Sequence, residues 1–312
     1  MRERLMAGVA SGMGAGALWG LVFLAPQLLA AFSPLQLALS RYLAYGAVAA
    51  LVLAPRARRT AARLGRAEWW ALVRLSLLGN LIYYVLLGSA VQWAGGAATA
   101  LIIGLLPVVV TVIGTRAAGA VGLRRLAAPC VLCVLCVAGV ALVAVDTLQR
   151  NGGAQASDLG TRVAGLLCAV GALISWSVYS IGNARWLRRR ADLSSQDWSL
   201  LTGVVTGALA LLLAPLTLLD TTVHAPLDWA RFWAIALVLA VLASVIGNGL
   251  WNRASRLLPL TLVGQMIVFE TVFALLYGFA WEARLPTGLE LAAIACLLVG
   301  VLWCAALHGE TN

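Results

Sequence analysis

Ten apolar runs, each about as long as a lipid bilayer is thick, follow one another along the chain with only short breaks between them. They cover roughly Leu5–Ala31, Gln36–Leu53, Trp69–Val91, Ala97–Ala118, Leu126–Val145, Arg162–Asn183, Trp198–Leu219, Ala230–Trp251, Leu260–Trp281 and Gly288–Leu307. A membrane-spanning helix needs about 20 apolar residues. Lipid cannot satisfy an open backbone, and these runs lack the period-two alternation of a barrel, so each is expected to be a helix. The rest of the 312 residues is too short for a soluble domain. Hydrophobic residues make up 62% of the chain and charged residues 11%, where a soluble domain carries about 25% charged. This excludes an ordinary soluble enzyme and a disordered chain. The first run continues to about Phe32, longer than the apolar core of a cleaved signal.

The net charge of +10 does not point to nucleic acid, because of where the charge lies. All 22 basic residues are arginine. With the N-terminus placed inside and ten alternating spans, seventeen arginines fall on the inner side. Four fall on the outer side: Arg150, Arg162, Arg231 and Arg284. This bias is a positive-inside topology signal that places both termini in the cytoplasm. Ten of the twelve tryptophans lie near run ends, where interfacial belts form; the exceptions are Trp19 and Trp176.

Those two tryptophans reveal an internal repeat. Ala17-Leu18-Trp19-Gly20 aligns with Ile174-Ser175-Trp176-Ser177 at an offset of 157 residues. Leu53-Ala54-Pro55 matches Leu213-Ala214-Pro215, and at an offset of 164 residues Pro107 falls opposite Thr271. Each unit holds five spans. Five is odd, so the halves must run through the membrane in opposite senses, an architecture that recurs in secondary transporters with a mid-membrane site. The expected fold is therefore an all-α membrane protein of ten transmembrane helices, arranged as two inverted five-helix repeats around a central cavity. Residues 1–145 form the first repeat, 146–161 an outer connecting loop, and 162–312 the second repeat with a short cytoplasmic tail.

No catalytic constellation is present. The two histidines, His224 and His308, lie at run margins, and there is no nucleotide loop, metal motif or nucleophile elbow. No enzyme activity, cofactor or metal is expected. Cys130, Cys133 and Cys136 sit inside an apolar run and read as small hydrophobes. Gly12, Gly16 and Gly20 have the spacing of a close helix contact.

The informative residues are the few polar and aromatic ones inside the runs, which avoid lipid and face the bundle interior or a wet cavity. Asn80, Tyr83 and Tyr84 share one face of span 3, opposite Ser244, Gly247 and Asn248 of span 8. Span 6 shows Trp176, Tyr179, Ser180 and Asn183 at helical spacing, span 1 Trp19, and span 9 Gln265. The candidate substrate-binding set is Trp19, Asn80, Tyr83, Tyr84, Trp176, Tyr179, Ser180, Asn248 and Gln265. Glu270 and Arg41 are intramembrane charges with a coupling or structural role, and each needs a partner or water.

Together, Ala17-Leu18-Trp19-Gly20, Ser33-Pro34 followed by Arg41, Leu105-Leu106-Pro107, Phe269-Glu270 and the glycine around Gly300 resemble the drug/metabolite transporter superfamily, in particular its EamA-type members. This chain has Glu270-Thr271 where the family often has Glu-Pro. Within the superfamily the chain is most similar to the aromatic amino acid exporters of the YddG type. That resemblance implies an inner-membrane exporter of aromatic and other neutral amino acids, opening alternately to each side; separately, a monomer is expected. Asn80, Asn248, Gln265 and Ser180 would then serve the ammonium and carboxylate, and Trp19, Trp176, Tyr83 or Tyr179 would stack on the side chain. Other small metabolites or cationic drugs are the alternative cargo.

Overall fold

The computed structural model describes residues 2–106, 109, 158–220, 222–258, 260–296 and 299. Within them the chain is helical, without strands. Six helices are long and apolar enough to cross a membrane by length and composition: α1 (Glu3–Leu28), α2 (Pro34–Ala61), α3 (Arg66–Ala94), α5 (Leu159–Arg189), α6 (Ser195–Leu218) and α7 (Pro226–Leu257). The short α4 (Gly96–Ile103) lies between α3 and α5 in the chain, and α8 (Leu260–Trp281) and α9 (residues 288–296) follow α7. Span 5, with its three cysteines, lies outside the described residues.

Local chemistry sets the helix starts. Ser33 caps α2: its Oγ accepts from the Gln36 N–H at 3.3 Å, and Gln36 Oε1 accepts from the Ser33 N–H at 2.8 Å. Pro34 occupies the first helical position, where a missing N–H costs nothing. Ser194 caps α6 by accepting from Asp197 N–H. Between α3 and α4 the chain reverses at Gly95, whose φ of +93° suits only glycine.

Small residues then decide which helices cross closely. α2 lies on α6, with Gly46 and Gly207 face to face: a Cβ built on Gly46 would stand 2.5 Å from the Gly207 Cα. α1 lies on α8 through the glycine stripe anticipated above. A Cβ on Gly16 would reach the Glu270 N at 2.7 Å, and one on Gly20 the Ala274 N at 2.9 Å. α3 packs on α5 in the same manner, Gly165 against Ala94. With little hydrophobic drive between helices in lipid, such contacts and interhelical hydrogen bonds supply the adhesion.

α3 and α7 are not regular throughout. Each contains a π-helical stretch, Leu77–Leu81 and Ala240–Gly247. π turns free backbone carbonyls and frequently mark functional positions. Here the Leu78 carbonyl accepts from the Ser175 hydroxyl at 2.7 Å, and the Ala243 carbonyl from Trp19 Nε1 at 3.0 Å.

The tryptophan belt needs correction. Trp198 and Trp251 were expected at the interface, yet both are fully buried. Trp198 Nε1 donates to Asn183 Oδ1 at 2.8 Å, and Asn183 Nδ2 donates to Asn252 Oδ1 at 3.0 Å. The indole hydrogen-bonds inside the bundle because α5 brings it an amide acceptor there, itself held by Asn252 of α7. Asn183→Leu leaves the Trp198 N–H without its acceptor. It should lower stability by about 1–3 kcal/mol, read as a lower melting temperature in detergent.

Candidate functional site

Six helices send polar and aromatic side chains to one small cavity inside the bundle. Trp19 and Val22 come from α1, Arg41 and Tyr42 from α2, and Gly79, Asn80 and Tyr83 from α3. Trp176 and Tyr179 come from α5 and Asn248 from α7, while Glu270 is added by α8. The cavity measures about 20 Å³, enough for roughly one water and far below the several hundred Å³ of a ligand-filled pocket. The hollow anticipated from the sequence is thus nearly closed by its own side chains in this conformation.

The aromatic wall is a connected cluster. Trp19 meets Trp176 edge-on, with centroids 5.7 Å apart, and Trp251 lies 5.2 Å from Trp19 and 5.5 Å from Trp176. Tyr179 lies 5.7 Å from Trp176, its ring over Gly79, where a Cβ would sit 2.2 Å from the ring. Only glycine leaves room for Tyr179 there.

The charged wall is built differently. Arg41 is 5% exposed; its Nε donates to Ser244 Oγ at 3.0 Å, and its guanidinium carbon lies 4.6 Å from the Tyr84 ring centre and 5.2 Å from that of Tyr42. Rings and a hydroxyl, rather than a carboxylate, hold this cation in place. Glu270 is 3% exposed, and its Oε2 has no hydrogen-bond partner. The two charges line one cavity, yet no contact of ion-pair length joins them. Asn80 Nδ2 donates to Thr206 Oγ1 at 2.9 Å.

Of the residues singled out from the sequence, Trp19, Asn80, Tyr83, Trp176, Tyr179, Asn248, Arg41 and Glu270 line the cavity. Tyr84 stands behind Arg41, and Ser180 is buried outside the lining. The side chain of Gln265 lies outside the described residues. Sequence reasoning missed Val22, Tyr42, Gly79 and Trp251. A signal existed for one of them. Trp251 is three residues beyond Asn248 and so shares its face.

The two ends of the bundle are secured by different chemistry. At the arginine-rich end, Arg190 makes a bidentate pair with Asp192 at 2.8 Å, meets Glu68 at 3.1 Å and donates to the Arg63 carbonyl at 2.8 Å. Arg56 pairs with Asp197 at 2.6 Å. At the other end, Phe32 stacks on His224 with centroids 4.0 Å apart and on Phe232 at 4.4 Å. Arg190 holds the Asp192 carboxyl down to about 2. A depressed carboxylate stabilises fully above its unfolded range near pH 4 and loses that contribution as pH falls through about 2. Relative to an Asp192→Asn variant, the wild type should therefore lose its advantage in melting temperature only below about pH 4.

These features define a polytopic helical membrane protein with a charged, aromatic-walled site inside the bundle. The model of the EamA-like transporter family matches residues 163–305. Along 309 residues the chain is 33% identical to the inner membrane protein YtfF of Escherichia coli (strain K12), covering 96% of this chain and 94% of that one. The chain belongs to the EamA-like transporter family. A solved crystal structure shares the fold with a TM-score of 0.68 at 21% identity, over 98% of this chain and 99% of its own. Membership in a transporter family agrees with the absence of a catalytic constellation in the sequence. The finer likeness to YddG-type aromatic exporters is not what these comparisons carry.

Proposed function

We propose that this protein exports amino acids, aromatic and other neutral ones, across the bacterial inner membrane by alternating access. The observation that carries the reading is the pairing of Arg41 and Glu270 across one cavity without a direct ion pair, inside a shell of aromatic rings. A zwitterion fits such a site: its carboxylate meets Arg41, its ammonium meets the unpartnered Glu270 oxygen, and its side chain lies among Trp19, Trp176 and Tyr179. Asn80 and Asn248 supply neutral polar contacts.

A cavity of about 20 Å³ does not hold an amino acid, so loading requires the tryptophan wall to part. The ion pairs at one end and the ring stack at the other would act as two gates, opened in turn. The proposed frame is ten spans in two inverted repeats, 1–145 and 162–312, joined by the outer loop 146–161, with both termini cytoplasmic and the protein working as a monomer. The helix pairing supports it. Exchanging the repeats maps the contact of α3 with α5 onto that of α1 with α7, and α2 with α6 onto itself. The π stretches likewise fall in spans that correspond, 3 and 8. YtfF is named as an inner membrane protein, which supports the location.

Cells loaded with dipeptides should release an excess of one or more neutral amino acids when they carry this protein; equal release with and without it for every amino acid removes the reading. A second reading, export of organic cations, draws on the buried Glu270 carboxylate alone. It expects Glu270→Gln to abolish cation efflux while Arg41→Met does not.

A further inference from the structure

A second cavity opens at the arginine-rich end, away from the central site. It is a groove of about 350 Å³ between the start of α1, the start of α6 and the end of α7. Its walls are Glu3 and Arg4 from α1, Ser195 from α6, and Arg253, Arg256 and Leu257 from α7. We propose that this groove binds a phosphate-bearing anion: the headgroup phosphate of an anionic phospholipid, or free phosphate.

The charge arrangement carries the inference. Three guanidinium groups face one carboxylate, that of Glu3. Arg4 and Arg253 are exposed and make no ion pair or hydrogen bond among the described residues. Arg256 donates through Nη2 to the carbonyls of Leu193 and Arg190, which fixes its fork beside the groove and leaves its other N–H groups unspent. Planar guanidinium forks match phosphate oxygens in pairs. Ser195 adds the first turn of α6, whose leading backbone N–H groups have no intrahelical acceptor.

Position favours the lipid source. The groove lies where the apolar part of α1 and α7 gives way to arginine, the depth of the headgroups. Basic pockets between transmembrane helices on that side select anionic headgroups. Exposed guanidiniums in one groove repel one another modestly, and a bound anion relieves that repulsion.

The test uses the full-length protein in detergent, with lipid occupancy read by native mass spectrometry. Dioleoyl-phosphatidylglycerol should bind more tightly than dioleoyl-phosphatidylcholine. The double variant R4Q/R253Q should lose roughly thirtyfold in affinity for the former. The control R185Q/R188Q, exposed on α5 outside the groove, should bind as the wild type does. Displacement by millimolar inorganic phosphate would show that phosphate alone is recognised; retention against it would assign the site to the lipid, and both outcomes support the inference. Equal binding of the two lipids, or equal losses in the two double variants, overturns it. Because binding is read without transport, the result is independent of the export reading.

Discussion

Gly46→Leu yields no folded protein. Where α2 and α6 cross, a Cβ on Gly46 would meet the Gly207 Cα at 2.5 Å and its backbone N at 3.2 Å. Overpacking a core ordinarily costs about 1–3 kcal/mol, because side chains turn aside. Here the opposing atoms are backbone and cannot turn aside, so the cost exceeds that range unless the helices separate. Separation breaks the hydrogen bond from the Tyr45 hydroxyl to the Ser199 carbonyl at 2.8 Å and the Arg56–Asp197 pair at one end of the same interface. Fluorescence-detected size exclusion reads the outcome: the variant should run as aggregate or vanish, with Gly46→Ala intermediate. A monodisperse Gly46→Leu protein with unchanged melting temperature would show that these helices do not approach so closely.

Arg41→Met should remove amino acid export while the protein remains folded. The guanidinium is the buried cation of the cavity, held by Ser244 and the rings of Tyr42 and Tyr84. If it receives the substrate carboxylate, its loss strands a charge at the binding step. Losing one partner of a buried charged pair costs about 2–5 kcal/mol, which is roughly a thirtyfold to several-thousandfold loss of efflux. Arg41→Lys should be intermediate, since a point charge lacks the planar fork that packs between the rings. Efflux from reconstituted vesicles, normalised to monodisperse protein, measures both variants. Undiminished efflux by Arg41→Met would place the carboxylate elsewhere.

The helical membrane architecture was legible in the residues because lipid leaves a chain so few choices. Apolar length, arginine bias and the Gly12, Gly16, Gly20 stripe each have one cheap explanation, and the stripe does lie against α8. Residues that gather at the cavity were legible for a similar reason: an amide, a charge or a tyrosine in mid-span must turn from lipid. Partnership was not legible. Nothing in the spacing says that Arg41 rests on Tyr84 and Ser244 rather than on Glu270, because α2, α3, α7 and α8 meet only through the tertiary arrangement. Trp198 and Trp251 were misread for a related reason. A tryptophan near a run end suits an interfacial belt, but Asn183 and Trp19 offered these two a better place inside. The near-closure of the hollow is a matter of side-chain packing, which a linear pattern does not encode.

The π stretches of α3 and α7 have a consequence for chain length. A π turn accommodates one surplus residue inside a helix while the flanking turns keep their facing. Deleting a single residue there, Leu77 in α3 or Val241 in α7, should regularise the helix and keep its two ends in register. The loss would be local: the carbonyls now offered to Ser175 and Trp19 would return to the helix ladder. Such one-residue deletions would separate what the bundle needs to stand in lipid from what its interior needs in order to move.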